Sequence, residues 1–342
     1  MAVIVRGIGM SHSPMMATEG KYWLDFADGD YNHPMLYDES GKHVTYEELN
    51  QQRNNFFADE AQPEKMLELF EQMEQGYAHL KDEVAKADPD IVLVISNDHP
   101  GEFLEFNNVP AFAVFYGDQI ISSNDERREM SAKDRFKKLA SNNEAYQQMV
   151  TGMGMEKNNV WPGSSKVGGQ LIESLIEQGI DVGILKAAAD PSKHGHGHGY
   201  GMVVRKLMNE DRLIPMIPLY LNSWYPNVPT PSRCYDIGRA IRRAVESMAD
   251  HLKVCIIASG GLSHFVTNVK LDEQVLNFLR NRNEYELRNL PRHLLKAGNA
   301  EILNWVMLSG AVEHLEFNWS KYVPVFRTPA GSGIGMSFAT WS

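Results

Sequence analysis

Residues 91–96, IVLVIS, decide the fold. Four of the six are β-branched, nothing polar interrupts the run before Ser96, and it is framed by Asp-Pro-Asp before and Asn-Asp-His-Pro after. A half-exposed strand alternates apolar with polar residues. An unbroken apolar run bounded by turn formers instead reads as a strand covered on both faces, as in a parallel sheet flanked by helices. The same pattern recurs at Ala2–Ile8, Ala111–Phe115, Gly183–Ala187, Ile214–Leu221 and Val254–Ser259. Helical patterns separate these runs. Pro63–Val84 opens with a proline suited to a first turn and sets Met66, Leu69, Phe70, Met73, Tyr77 and Leu80 on one stripe. Lys166–Gln178 and Tyr235–His251 follow the same rule, as does a helical C-terminal region from Asp272 to about Ala311. Strands alternating with helices predict an α/β fold with a central, mainly parallel or mixed sheet flanked by helices.

The chain has 342 residues, with 33 Lys and Arg against 44 Asp and Glu, a net charge of −11. With no basic stripe to match a phosphate backbone, a nucleic-acid partner is excluded. Two cysteines, Cys234 and Cys255, make no disulfide framework or zinc motif. No apolar run reaches the about 20 residues that span a bilayer, and the first residues lack the pattern of a secretory signal. A cytoplasmic protein without a membrane partner is expected. No linker or repeat divides residues 1–342, which predicts one domain with insertions. The longest of these, residues 18–62, is polar and dotted with aromatics, and is expected to cover the functional site.

Histidines gather where strands run into loops. Ala2–Ile8 leads to His12 in GMSHSP, and Ile91–Ser96 to His99 in NDHP. Gly183–Ala187 leads to His194, His196 and His198 in HGHGHGYG, and Val254–Ser259 to His264 in GGLSH. If all strands point one way, all these loops emerge at the carboxyl edge, where open α/β sheets bind ligands. One histidine at a strand end is more often a packing residue than a ligand; four stretches converging point to a metal or proton-transfer site. Asp98 stands ready to orient His99. No phosphate-binding loop, dinucleotide fingerprint or GxSxG elbow is present.

These junctions carry a family resemblance. GIGMSHSPMM, DPDIVLVISNDHPGEF, the HGYG turn ahead of IPMIPLYLN, and ASGGLSHF together resemble the class III extradiol ring-cleaving dioxygenases, whose members include the catalytic subunit of protocatechuate 4,5-dioxygenase. The resemblance runs from residue 3 to about 338. It implies a non-haem Fe(II) enzyme that opens the ring of a catecholic aromatic acid with O2 and is a homo-oligomer. It also implies His12 and His99 as imidazole ligands and His198 as the acid/base residue, with His196 the next candidate because the His-Gly pair repeats. His264 belongs to the same pocket by position.

The third ligand departs from the family pattern. Relatives carry a glutamate shortly after the GGxSH element, two residues ahead of an aspartate. Here the segment reads FVTNVKLDEQ, so that Lys270 stands two residues before Asp272. A lysine ammonium repels a divalent cation rather than binding it. Either Glu273, in a shifted register, supplies the carboxylate, with Asp272 as substitute, or the iron site is altered. That opens a second reading: a metal-altered or metal-free hydrolase, lyase or decarboxylase on the same scaffold, using Lys270 with the histidines. A third is a non-catalytic subunit. Trp224 and Tyr225 are candidates to pack on a substrate ring.

Overall fold

The computed structural model describes residues 1–97, 109–127, 131–188, 190, 194–209, 211–224 and 226–342. Asp98, His99 and Tyr225 lie outside them. Within the described residues the main sheet has nine strands: β1 (Val3–Met10), β2 (Ile91–Ser96), β3 (Phe112–Phe115), β4 (Gly183–Leu185), β5 (Met216–Leu221), β6 (Lys253–Ser259), β7 (His264–Val266), β8 (Phe317–Phe326) and β9 (Ser332–Trp341). Their order is β7-β9-β1-β6-β2-β5-β3-β4, with β8 paired to β9. The four central strands β1, β6, β2 and β5 are mutually parallel, whereas β9 runs antiparallel to β1 and β3 antiparallel to β5. The sheet is therefore mixed, and the fold is α/β.

Helices of eight or more residues are α1 (Tyr46–Arg53), α2 (Pro63–Ala87), α3 (Asn143–Gly152), α4 (Ser165–Glu177), α5 (His198–Leu207), α6 (Pro231–Ser247), α7 (Val269–Arg280) and α8 (Ile302–Ala311). The run at 91–96 shows why they lie on both sides. Ile91, Leu93 and Ile95 point into a core shared with Leu171 of α4, Ile241 of α6 and Leu308 of α8. Val92 and Val94 point into a second core with Met73 and Leu80 of α2, Met149 of α3 and Met202 of α5. Every residue of β2 is buried, which is what its unbroken apolar sequence requires.

Two expectations are corrected. Because β4 runs parallel to β3, and β3 antiparallel to β5, the chain leaves β4 at the edge opposite that of β1, β2 and β6. The histidine-rich stretch reaches the site by crossing back, and His196 then bridges to Ser122. The second concerns the C-terminal region, where the sequence reading names helices and no strand. Residues after Ala311 form the antiparallel pair β8–β9, and α2 lies close to it because residue 76 is glycine: a Cβ there would come within 2.6 Å of the Phe338 ring.

Residues 18–62 pack against α2 and the β8–β9 turn. Trp23 and Phe26 are buried beside Met66 and Met73. Asp30 accepts two hydrogen bonds from the Arg327 guanidinium, at 2.8 and 2.9 Å, and a third from Ser332. No helix among the described residues is long and apolar enough to cross a membrane.

Candidate active site

The exit of β1 is fixed before it delivers a side chain. Ser11 donates its N–H to the Ser337 carbonyl, its hydroxyl accepts from Ser337 N, and Tyr77 donates to the Ser11 carbonyl. His12 follows and is buried, with 2% of its surface exposed. Its Nδ1 lies 2.8 Å from Ser259 Oγ, at the end of β6, and Ser259 Oγ in turn lies 2.7 Å from the Gly199 carbonyl. A carbonyl can only accept, so it takes the single hydroxyl proton, and Ser259 must accept from His12 Nδ1–H. The proton of a neutral His12 is thereby placed on Nδ1, and Nε2 carries the lone pair.

That lone pair faces Glu301 Oε2 at 3.8 Å, beyond hydrogen-bond range. Glu301 is buried at the end of the single-turn helix Ala297–Glu301, just ahead of α8. Its Oε1 accepts from Asn97 Nδ2 at 2.9 Å, and its Oε2 from Gly261 N at 2.8 Å. The same helical region staples itself to the β6 loop: Asn304 Nδ2 donates to the Ser259 carbonyl and Trp305 Nε1 to that of Gly260. Glu301 is thus held by the ends of β2 and β6 at once.

His264 approaches from the other side. Its Nδ1 donates to the Leu262 carbonyl and its backbone N–H to Asn299 Oδ1. Nε2 faces the same Glu301 oxygen at 3.6 Å. Close approach is possible because residue 298 is glycine; a Cβ there would fall 2.2 Å from the imidazole Cδ2. The Nε2 atoms of two imidazoles therefore approach the same oxygen of one buried carboxylate.

His198 opens α5 and presents its ring edge-on to His12, with centroids 5.0 Å apart. The helix is tied down by the Tyr200 hydroxyl, placed 3.3 Å from the carbonyls of both Ser96 and Leu219. His196 is in different surroundings. It is buried between Phe115, Tyr200 and Tyr220, with Nδ1 2.6 Å from the Tyr220 hydroxyl. Burial drives its pKa down to about 3, so it stays neutral and is a poor proton acceptor near pH 7. His194 is half-buried, its N–H bonded to the Asp190 carbonyl.

Lys270 and Glu273 are not brought to the histidines. Both lie on α7 and line an open groove of about 510 Å3 with Glu39, Phe57 and Gln274. Asp272 points inward instead, accepting from Ser263 N, Ser263 Oγ and Tyr322 OH at 2.7–2.8 Å. Burial outweighs those bonds and pushes its pKa up to about 6. The carboxylate beside His12 is Glu301, not Glu273. Among the described residues alone, no three His, Cys, Asp or Glu groups close around a metal position. His99, two residues past the Glu301 partner Asn97, is outside them.

Sequence reading missed Glu301, although a signal was present. In AGNAEILNWVMLSGA a carboxylate stands at the head of a helix that is buried all round. A charge in such a place requires a partner.

Fold and site together define an α/β scaffold that assembles imidazoles and a carboxylate at the carboxyl edge of its central strands. Residues 56–336 match the catalytic LigB subunit of aromatic ring-opening dioxygenase, and the chain belongs to that family. Over 131 residues it is 32% identical to the gallate dioxygenase of Pseudomonas putida, a stretch that makes up 35% of this chain and 38% of that protein, well under two thirds of the relative's length. Glu301, His264 and His198 fall within the family match; His12 precedes it.

Proposed function

We propose that the protein is a non-haem Fe(II) dioxygenase that opens the ring of a catecholic aromatic acid. The observation that carries this reading is the meeting of His12 Nε2, its proton held on the opposite nitrogen by Ser259, with the buried Glu301 carboxylate. One imidazole and one carboxylate are two thirds of the 2-His-1-carboxylate donor set of non-haem iron oxygenases. His99 is proposed as the third donor, from its motif and its place just past Asn97. A ferrous ion held by these residues would bring a catecholate and O2 together for ring opening.

The chain's own groups perform the remaining work. His198, beside His12, is placed to take a phenolic proton as the substrate enters and to return it later. His196, buried and paired with the Tyr220 hydroxyl, is assigned a supporting part behind His198. His264 sits between Glu301 and the Phe265 ring, on the side from which a flat substrate would approach. Residues 18–62 bring His33 against Phe265 and are proposed as the cover on that side.

The test is anaerobic reconstitution with Fe(II), followed by assay of bound iron and of oxygen uptake with 3,4-dihydroxybenzoate and gallate. About one iron per chain and substrate-dependent uptake are expected. His198→Gln should retain iron and lose about 100- to 10,000-fold in kcat, the usual range for a general acid–base. Failure to retain iron, together with no uptake for any catechol, would refute the reading.

A further inference from the structure

α8 is buried at every position, and its sequence ILNWVMLSGA carries one amide side chain, that of Asn304, which is fully buried. Asn304 follows Glu301 by three positions, so the two share a helix face, and both reach the end of β6. Asn304 Nδ2 donates to the Ser259 carbonyl at 3.0 Å, and Glu301 Oε2 accepts from Gly261 N at 2.8 Å. Between these two points stands Gly260, where a Cβ would fall 2.7 Å from Asn304 Nδ2 and 3.1 Å from Glu301 Cβ. The helix therefore lies directly on the strand end, with no side chain to space them.

The other half of the amide is unmet. Asn304 Oδ1 is buried and has no hydrogen-bond partner. Turning the amide over does not help, because Oδ1 and the Ser259 carbonyl, both acceptors, would then oppose each other. A neutral hydrogen bond returns about as much as an unmet buried acceptor costs, so stability gives no reason for an amide at this position. A leucine of the same outline would remove one unmet acceptor, Oδ1, and take the Asn304 donor from another, the Ser259 carbonyl. What the amide does fix is Ser259, whose Oγ holds the His12 ring at 2.8 Å.

We propose that Asn304 is a positioning residue: it locks Ser259, and through it His12, in register with Glu301, and so sets the 3.8 Å across which His12 Nε2 and Glu301 Oε2 face each other. The proposal rests on the iron reading of that pair and extends it to a residue whose own bond goes only to the main chain.

The test is titration of the anaerobic, metal-free protein with Co(II), a redox-stable stand-in for Fe(II) whose visible bands report its surroundings, beside unfolding in urea. Asn304→Leu should unfold near the wild-type midpoint, yet bind Co(II) about tenfold more weakly and with altered bands, the low end of what outer partners of metal ligands contribute. Asn304→Ala, which cannot overpack, should weaken Co(II) to the same extent whatever it does to stability. Ser309→Ala, on the same helix and away from Ser259, should bind Co(II) as the wild type does. Unchanged Co(II) affinity in folded Asn304→Leu or Asn304→Ala, or weakening that merely follows loss of stability across the three variants, would overturn the assignment. If the Asn304 variants weaken Co(II) but no catechol drives oxygen uptake by the iron-loaded wild type, the positioning stands and the ring-opening reading falls. If uptake is robust and the variants hold Co(II) as the wild type does, the ring-opening reading stands and Asn304 is only a structural residue.

Discussion

Two buried carboxylates flank the Ser263–His264 turn, and their surroundings differ in kind. Asp272 receives three donors, one backbone N–H and two hydroxyls, and its needs are met within the protein. Among the described residues, Glu301 accepts from two neutral N–H donors and faces two imidazole Nε2 atoms at 3.6 and 3.8 Å, beyond hydrogen-bond range. A carboxylate wrapped in hydroxyls is a fastening. One set against imidazole nitrogens is the arrangement that the proposed iron site requires. Burial alone does not separate the two roles; the identity of the neighbours does.

That contrast can be broken by exchanging the charge at each position. Glu301→Gln should abolish iron retention and oxygen uptake, a loss beyond the about 10- to 100-fold that outer partners of metal ligands typically contribute. Metal analysis beside a circular dichroism spectrum checks it, and a variant with full iron content would mean that Glu301 is another fastening. Ser259→Ala removes the acceptor that fixes the His12 proton, and should weaken iron binding by about 10- to 100-fold with the chain still folded. Competition with a chelator measures that shift.

Asp272→Asn should leave iron content unchanged and alter stability against pH instead. The folded pKa, about 6, lies above the ordinary aspartate value of 3.8, so the folded state holds the proton more tightly. Stability contributed by this group is present below the unfolded pKa and declines as pH rises from about 4 to 6, at up to about 1.4 kcal/mol per pH unit. The asparagine variant should lack that decline, which urea titrations at pH 4, 5 and 6 would reveal. The smallest effect is expected for Glu273→Gln: on the open groove with Lys270, it should change neither iron content nor uptake by more than about twofold, as befits a surface substitution.

Much of the fold was legible because the central strands announce themselves. IVLVIS is buried on both faces and reads so, and the parallel set β1, β6, β2 and β5 does bring the ends of β1, β2 and β6, with His12 and His264 beyond two of them, to one edge. Strand direction is a different matter. β4 has only three residues, and nothing in GIL says that its neighbour β3 runs against β5. β8 and β9 were missed because Pro324 and the small residues of SGIGMSFATW mask a strand pattern, although all ten residues of β9 are buried. At the site, sequence proximity to GGLSH drew attention to Lys270, Asp272 and Glu273. The carboxylate that meets His12 comes from more than thirty positions after His264, brought there by a helix whose apolar length hid the one charge that mattered.

The Trp305 ring lies where a Cβ on Gly9 would be, 2.1 Å from it, and the same indole is stapled to Gly260. The start of the chain and the helix behind Glu301 are therefore interlocked just beside the site. His12 and Glu301 are far apart in sequence, so the pair exists only once β1, β6 and the helix after Glu301 have packed together. Any ion they share would act as a seal on the finished fold: its affinity would report whether the last helix has docked, and its removal would loosen first the contact that joins the two ends.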